Sequence, residues 1–285
     1  MKNKSYKHLL QENGYCLIKN FFNINEVEKL RKFVLKNHHN DQDIYLSNYD
    51  NALDENLLSE KYFQILKETI GNDLVYFLDS NTAVDAFQKN TGTFHIDARN
   101  DENDPGSSAY KVWRVGLYLQ DHKNYSGGIK FITKSHKKLL TNSIYKIYYI
   151  LRKFFKNKYS LKSIIPSFKY INIPSEPGDL IIWNGRTHHC GRFKRLHIFK
   201  NLALHPFIDR HLPNFLIKKE MTDRLVVYQD WGLKDLSLVN YLKHRYNHRD
   251  YKKYWQNNKI NKHKFPFNKF KENSIEIIDA SNIDS

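Results

Sequence analysis

The spacing of apolar residues changes character along this chain, and the changes mark out its elements. Ser5 to Glu12 predicts a short helix stopped by Asn13-Gly14, and the apolar run Tyr15 to Phe22 predicts a strand. Asn23 then caps a helix running from Ile24 to about Asn37, in which Val27, Leu30, Phe33 and Val34 recur at helical spacing. Residues 40–58 are polar and read as a loop with a short helix. Glu60 to Ile70 is a second amphipathic helix, ending before Gly71. From residue 74 the period shortens. Leu74–Leu78, Ala83–Phe87 and Thr93–His95 are brief β-rich runs separated by Asn, Thr and Gly.

The strand pattern continues past a loop at Asn100 to Ser108, which turns at Asp104-Pro105-Gly106. Val112 to Leu119 is a strand, and Tyr125 to Gly128 turns into another at Ile129–Ile132. Residues 140–160 read as a basic helical insertion, followed by strands at 168–173, 179–184 and 198–205. A block of strands flanked by helices predicts a mainly β fold, a sandwich or barrel with a helical layer. Its core is expected at about 74–207 within a domain spanning 1–207. Residues 208–285 read as a basic, aromatic C-terminal extension. In it, Ser237 to Tyr254 forms a surface helix, and the last residues are acidic and aperiodic enough to be disordered. No internal repeat is evident.

Composition changes this picture little. With 285 residues, 40% hydrophobic and 14% aromatic, a core of ordinary size is feasible. No apolar run approaches the ~20 residues of a membrane span, and the first residues lack the apolar stretch of a signal peptide. Cys16 and Cys190 are too few for a disulfide framework. The expectation is a cytoplasmic protein without a membrane span. The net charge of +16 attracts nucleic acid, anionic membrane surface or acidic small molecules. The excess lysine accompanies many Asn and Ile residues, however, as an AT-rich coding bias produces. No RRM, KH or zinc-knuckle signature supports the charge, so a nucleic-acid partner is not favoured.

The chemistry lies in a split pattern. His95-Ile96-Asp97 places two metal-ligating side chains at i and i+2, on one side of an extended strand. Far downstream, Gly178-Asp179-Leu180-Ile181-Ile182-Trp183 leads into His188-His189. Two histidines and one carboxylate can hold iron(II) on one face of its octahedron and leave the opposite face open for a cosubstrate and O2.

In that order along residues 8–207, the chain resembles the phytanoyl-CoA dioxygenase family of iron(II)/2-oxoglutarate dioxygenases. Gln11-Glu12-Asn13-Gly14-Tyr15 is similar to the family's opening. His95-Ile96-Asp97, Val115–Asp121, Ser126-Gly127-Gly128 and Lys134-Ser135-His136-Lys137 follow, the last resembling its "GSH" segment. The set closes with Pro177–Trp183 and the histidines after it. The resemblance implies a double-stranded β-helix, the cupin-like jelly roll. It also implies Fe(II), 2-oxoglutarate and O2, with release of succinate and CO2 and hydroxylation of an unactivated C–H bond. It assigns His95 and Asp97 as metal ligands. Counting from Gly178, the family's second histidine falls at the twelfth position, His189. His188, adjacent on a strand, then faces the other way. In related halogenases a small residue replaces the carboxylate, so Asp97 favours hydroxylation, or desaturation or cyclisation of the same origin.

The cosubstrate anchor departs from the family pattern. Iron(II), Asp97 and doubly charged 2-oxoglutarate sum to −1, so the distal carboxylate needs a buried cation. The family supplies an arginine on the last barrel strand, whose fork matches a carboxylate. Lys200 holds that place here, eleven residues after His189, with Arg195 and Arg192 as alternatives and Lys89 as a further contact. The loops 40–58, 98–110 and 138–167 are expected at the pocket mouth. Arg99, Lys111, Lys137 and Lys138 there and in their flanks suit a small anionic metabolite. Two readings compete with the enzyme: a catalytically dead jelly-roll scaffold, kept open by the lysine, and a basic nucleic-acid-binding protein.

Overall fold

The structure is a computed structural model and describes residues 5–37, 57–78, 82–85, 94–98, 111–120, 128–137, 170–173, 175–191, 196–198, 212–217, 224–247 and 265–279. Helix α1 (Tyr6–Asn13) begins where the Ser5 hydroxyl accepts from the His8 N–H. It ends at Gly14, whose left-handed φ of +87° lets its own N–H donate to the Leu10 carbonyl. Strand β1 (Tyr15–Ile18) follows. Asn23 and Glu26 then cap α2 (Ile24–Asn37) reciprocally: each side chain accepts from the other's N–H, at 3.0 and 2.7 Å. Helix α3 (Glu60–Thr69) starts on the Ser59 hydroxyl.

Two sheets carry the rest. The remaining strands of the main sheet are β2 (Leu74–Leu78), β3 (Thr82–Asp85), β4 (Val112–Tyr118), β7 (Leu180–Asn184), β9 (Arg224–Leu233) and β10 (Glu276–Ile277). Their order is β1-β7-β4-β9-β2-β10, with β3 also paired to β9. The small sheet runs β6-β5-β8, from β6 (Tyr170–Asn172), β5 (Ile129–Ile132) and β8 (His189–Gly191). This is the jelly roll that the family resemblance implies, in keeping with the sandwich or barrel that the strand pattern predicts.

Alternation along the main strands separates two interiors. Cys16, Ile18, Val115, Leu117, Leu180, Ile182, Leu225 and Val227 pack outward against Leu10, Val27, Leu30, Phe63 and Leu66 of the helices. Tyr118, Ile181, Trp183 and Val226 point inward and meet Ile129 and Phe131 of the small sheet.

The strands expected at 74–78, 112–119, 129–132 and 179–184 form within one residue of those bounds. The strand expected at 198–205 lies outside the described residues apart from residue 198. Strand β9 at 224–233 pairs with β4. The core sheet therefore extends beyond residue 207, into the stretch read as an extension. Helix α4 (Leu236–Asn247) follows and buries Leu238, Tyr241 and Leu242 against Val75 and Phe77, so its aromatic content is core as well as surface. Residues 265–279, also read as aperiodic, are ordered by apolar burial. Phe265, Phe270 of α5 (Phe267–Glu272) and Ile275 join the helix-side core, and β10 adds in parallel to β2. The expected insertion helix at 140–160 and most of the 40–58 loop lie outside the described residues. No helix among the described residues is long and apolar enough to cross a membrane.

Candidate metal centre

The centre forms where the end of the small sheet meets the segment 94–98. His95 and His189 exchange backbone N–H···O=C bonds, both 2.9 Å, which bring the two distant stretches side by side. The Asp97 and Ala98 N–H groups both donate to the Gly185 carbonyl, at 2.8 and 2.9 Å. A Cβ at Gly185 would stand 2.9 Å from that of Ala98, so only glycine lets the segment sit this close. The turn at 184–187 is fixed in turn by Thr187, whose hydroxyl donates to the Gly14 carbonyl at 2.8 Å.

These contacts gather His95, Asp97 and His189, with one ligand atom from each lying within 4.8 Å of the others. His95 Nε2 is 3.7 Å from Asp97 Oδ1, and His189 Nε2 is 3.4 Å from Asp97 Oδ2. The side chains of Asp97 and His189 are 10% and 5% exposed, whereas that of His95 is 39% exposed, which marks the side on which the centre opens.

The protonation states suit a cation. Burial drags the His189 imidazole down to about 4, against the pull of the facing Asp97 carboxylate. At neutral pH the ring is therefore neutral. Its Nδ1–H donates to the Thr187 carbonyl at 3.0 Å, leaving the Nε2 lone pair toward Asp97. Burial alone would push the Asp97 carboxyl up. The Arg114 guanidinium, the two histidines and the Trp183 N–H outweigh it and hold the group well below the usual carboxylate range. A neutral imidazole with its tautomer fixed, a second imidazole and an ionised carboxylate on one side of a gap are the donor set of a divalent transition metal. The residues present fit iron(II).

Sequence reasoning missed the support around Asp97. Trp183 Nε1 donates to Asp97 Oδ2 at 3.1 Å. Arg114 Nη1 stands 3.4 Å from Asp97 Oδ1, while its Nε and Nη2 donate to the two Asp230 oxygens at 2.6 and 2.7 Å. Trp183, Arg114 and Asp230 are register partners on β7, β4 and β9, so they form one inward-facing row across the main sheet. Gly116 makes room for it, since a Cβ there would lie 3.0 Å from the Trp183 ring. The available signal was a charged residue in the middle of each of two apolar strands.

The other candidates divide. His188 is buried but outside the ligand group; its N–H donates to Ser135 Oγ at 2.8 Å and its carbonyl accepts from Ile132. Cys190 packs with Phe94 and Ile132, away from the inner face. His136 Nε2 bonds the Gln11 carbonyl, tying the "GSH"-like segment to α1. Lys200, Arg195, Arg192 and Lys89 lie outside the described residues. Lys111 and Lys137 are held in ion pairs with Asp235 and Glu12, each 2.7 Å, so neither argues for an anionic substrate.

The sequence model of phytanoyl-CoA dioxygenase matches residues 10–192, well over half of the chain. The chain belongs to the phytanoyl-CoA dioxygenase family. As a member it is an iron(II)- and 2-oxoglutarate-dependent oxygenase. Solved structures share its fold. HygX from Streptomyces hygroscopicus, with nickel and 2-oxoglutarate bound, is 14% identical over 82% of this chain and 88% of its own, with a TM-score of 0.57. The non-heme monooxygenase ThoJ, as its nickel complex, is 12% identical over 80% of this chain and 77% of its own, with a TM-score of 0.50. No curated protein matches the sequence.

Proposed function

We propose that this phytanoyl-CoA dioxygenase family member hydroxylates an unactivated C–H bond of a small organic substrate, with His95, Asp97 and His189 as the protein ligands of iron(II). The observation that carries the reading is the convergence of those three ligand atoms within 4.8 Å. Bound iron, 2-oxoglutarate and O2 supply the oxidation, with succinate and CO2 as co-products. The chain's own work is to hold the donors. Thr187 sets the His189 tautomer, Trp183 and Arg114 hold the Asp97 carboxylate, and the half-exposed His95 borders the approach. A small-molecule substrate is supported by HygX, which is also known with hygromycin B bound. A reducing, cytoplasmic setting suits iron(II) and the free, buried Cys16 and Cys190.

The cosubstrate anchor follows from charge. Iron(II), Asp97 and 2-oxoglutarate leave one negative charge, and Arg114 cannot balance it, because Asp230 already takes its fork. Strand β9 carries one cation, Arg224, which joins Lys200, Arg195, Arg192 and Lys89 as a proposed partner for the distal carboxylate.

Succinate release by the anaerobically reconstituted protein tests both statements. It is expected to require iron and 2-oxoglutarate, and to vanish with Asp97→Ala; normal release by that variant would sink the ligand assignment. A charge-assisted contact is worth about 1.5–3 kcal/mol. Of Arg224→Ala, Lys200→Ala, Arg195→Ala, Arg192→Ala and Lys89→Ala, the one that removes the anchor should therefore raise the 2-oxoglutarate requirement about ten- to a hundredfold, at ~1.4 kcal/mol per tenfold. The others should leave it unchanged, and no change in any of them would overturn the set. Mass analysis of the product separates hydroxylation, a gain of one oxygen, from desaturation or cyclisation, a loss of two hydrogens.

A further inference from the structure

The Arg114–Asp230 pair has no counterpart in the sequence reading, and its placement calls for an explanation. A largely buried ion pair is weak evidence of stability, because desolvation offsets its attraction. This one faces inward, on the row that meets Asp97. Asp230 takes two of the three guanidinium nitrogens, at 2.6 and 2.7 Å, and the third, Nη1, is left facing Asp97 Oδ1. On the other flank of β4, Trp183 donates to Asp97 Oδ2. Asp97 Oδ1 thus faces the Arg114 charge and His95, and Oδ2 accepts from Trp183 and faces His189.

We propose that Arg114, oriented and neutralised by Asp230, is the positioning residue for Asp97: with Trp183 it stops the carboxylate from rotating and presents it to the metal already aligned. The proposal rests on the reading of Asp97 as a ligand. The role of Asp230 follows from charge. A guanidinium beside a cation site repels the metal, and a neighbouring carboxylate removes that repulsion while holding the fork in one orientation. A lysine cannot replace this arrangement, since its ammonium is a point charge without a fork.

Binding of Co(II) alone to metal-free protein, followed by visible absorption and equilibrium dialysis, reads the effect without turnover. Arg114→Met and Asp230→Asn should each weaken Co(II) binding about ten- to a hundredfold, the scale of losing a partner that orients a metal ligand. Arg114→Lys should recover little of it. In an Asp97→Asn background, Arg114→Met should weaken binding no further, because the residue acts through Asp97; a merely structural loss would add. Unchanged or tighter binding by Arg114→Met, or a full further loss in the Asp97→Asn background, would overturn the proposal. If Arg114→Met does not fold, Asp230→Asn, which keeps the arginine, decides by its single effect: unchanged Co(II) binding overturns the proposal. If Asp97→Asn itself leaves Co(II) binding intact, the ligand reading has failed, an outcome distinct from failure of the Arg114 proposal.

Discussion

The two faces of the main sheet are built from the same strands and obey different rules. On the outward face, Val115, Leu117, Ile182, Leu225 and Val227 meet the helices in an apolar layer, extended by the aromatic group of Phe63, Tyr76, Trp231 and Phe270. The polar Gln229 on this side is satisfied by the Tyr62 hydroxyl, which donates to it. On the inward face, one residue away along each strand, stand Trp183, Arg114 and Asp230, with their polar atoms committed to one another and to Asp97. The outward face stabilises through area and close packing, and it tolerates exchange among apolar residues of similar volume. The inward face depends on direction, and a change of one atom type matters there.

Substitutions on each face sharpen this contrast. The largest effect should come from the ligands. His189→Ala should lose iron and all 2-oxoglutarate-dependent succinate release while its unfolding midpoint stays near that of the parent, whereas His188→Ala should keep iron. Iron titration of the pair decides it, and the reverse result would put the β8 register one residue out. Next is Phe63→Ala on the outward face. Phe63 is fully buried, so truncation should cost about 3–5 kcal/mol in urea unfolding. Co(II) affinity of the folded fraction should stay within about twofold if the faces are independent, as distant sites are. A parallel loss of metal binding would break the separation.

Smaller effects lie between the faces. Gly116→Ala puts a Cβ against the Trp183 ring at 3.0 Å and should cost about 1–3 kcal/mol as overpacking. It should also weaken Co(II) binding, because the same ring carries the N–H that holds Asp97; denaturation and Co(II) titration of one preparation test both halves. The smallest is Thr187→Val, which removes a buried bond to the Gly14 carbonyl and should cost about 1 kcal/mol by chemical denaturation, with the His189 ligand retained.

Local pattern made some of this legible in the sequence and left the rest unreadable. The helix at Ile24–Asn37 and the strands at Leu74–Leu78 and Ile129–Ile132 follow from capping residues and apolar period, and these form as expected. His95, Asp97 and His189 could be singled out because ligand chemistry restricts residue type and short spacing, and the fold brings them together. Arg114 and Trp183 were not singled out, because each meets its partner through strand pairing between stretches far apart, 116 residues for Arg114 and Asp230 and 86 for Trp183 and Asp97. In a chain of net charge +16, one more arginine carries no signal by itself. Strand β9 at 224–233 was not read from the sequence, because that stretch was taken as part of a C-terminal extension.

The parallel pairing of β10 with β2 has a consequence for how the chain is made. This strand follows every other described strand in chain order, so during synthesis the free edge of β2 waits for it. Until residues 265–277 arrive, that edge offers unpaired backbone groups, and Phe63, Tyr76 and Trp231 lack the cover of Phe270. An open strand edge beside bare aromatic surface is the setting for edge-to-edge association. Chains cut or stalled before this segment are therefore expected to aggregate with His95, Asp97 and His189 already gathered, and this strand acts as a guard on solubility rather than a part of the chemistry.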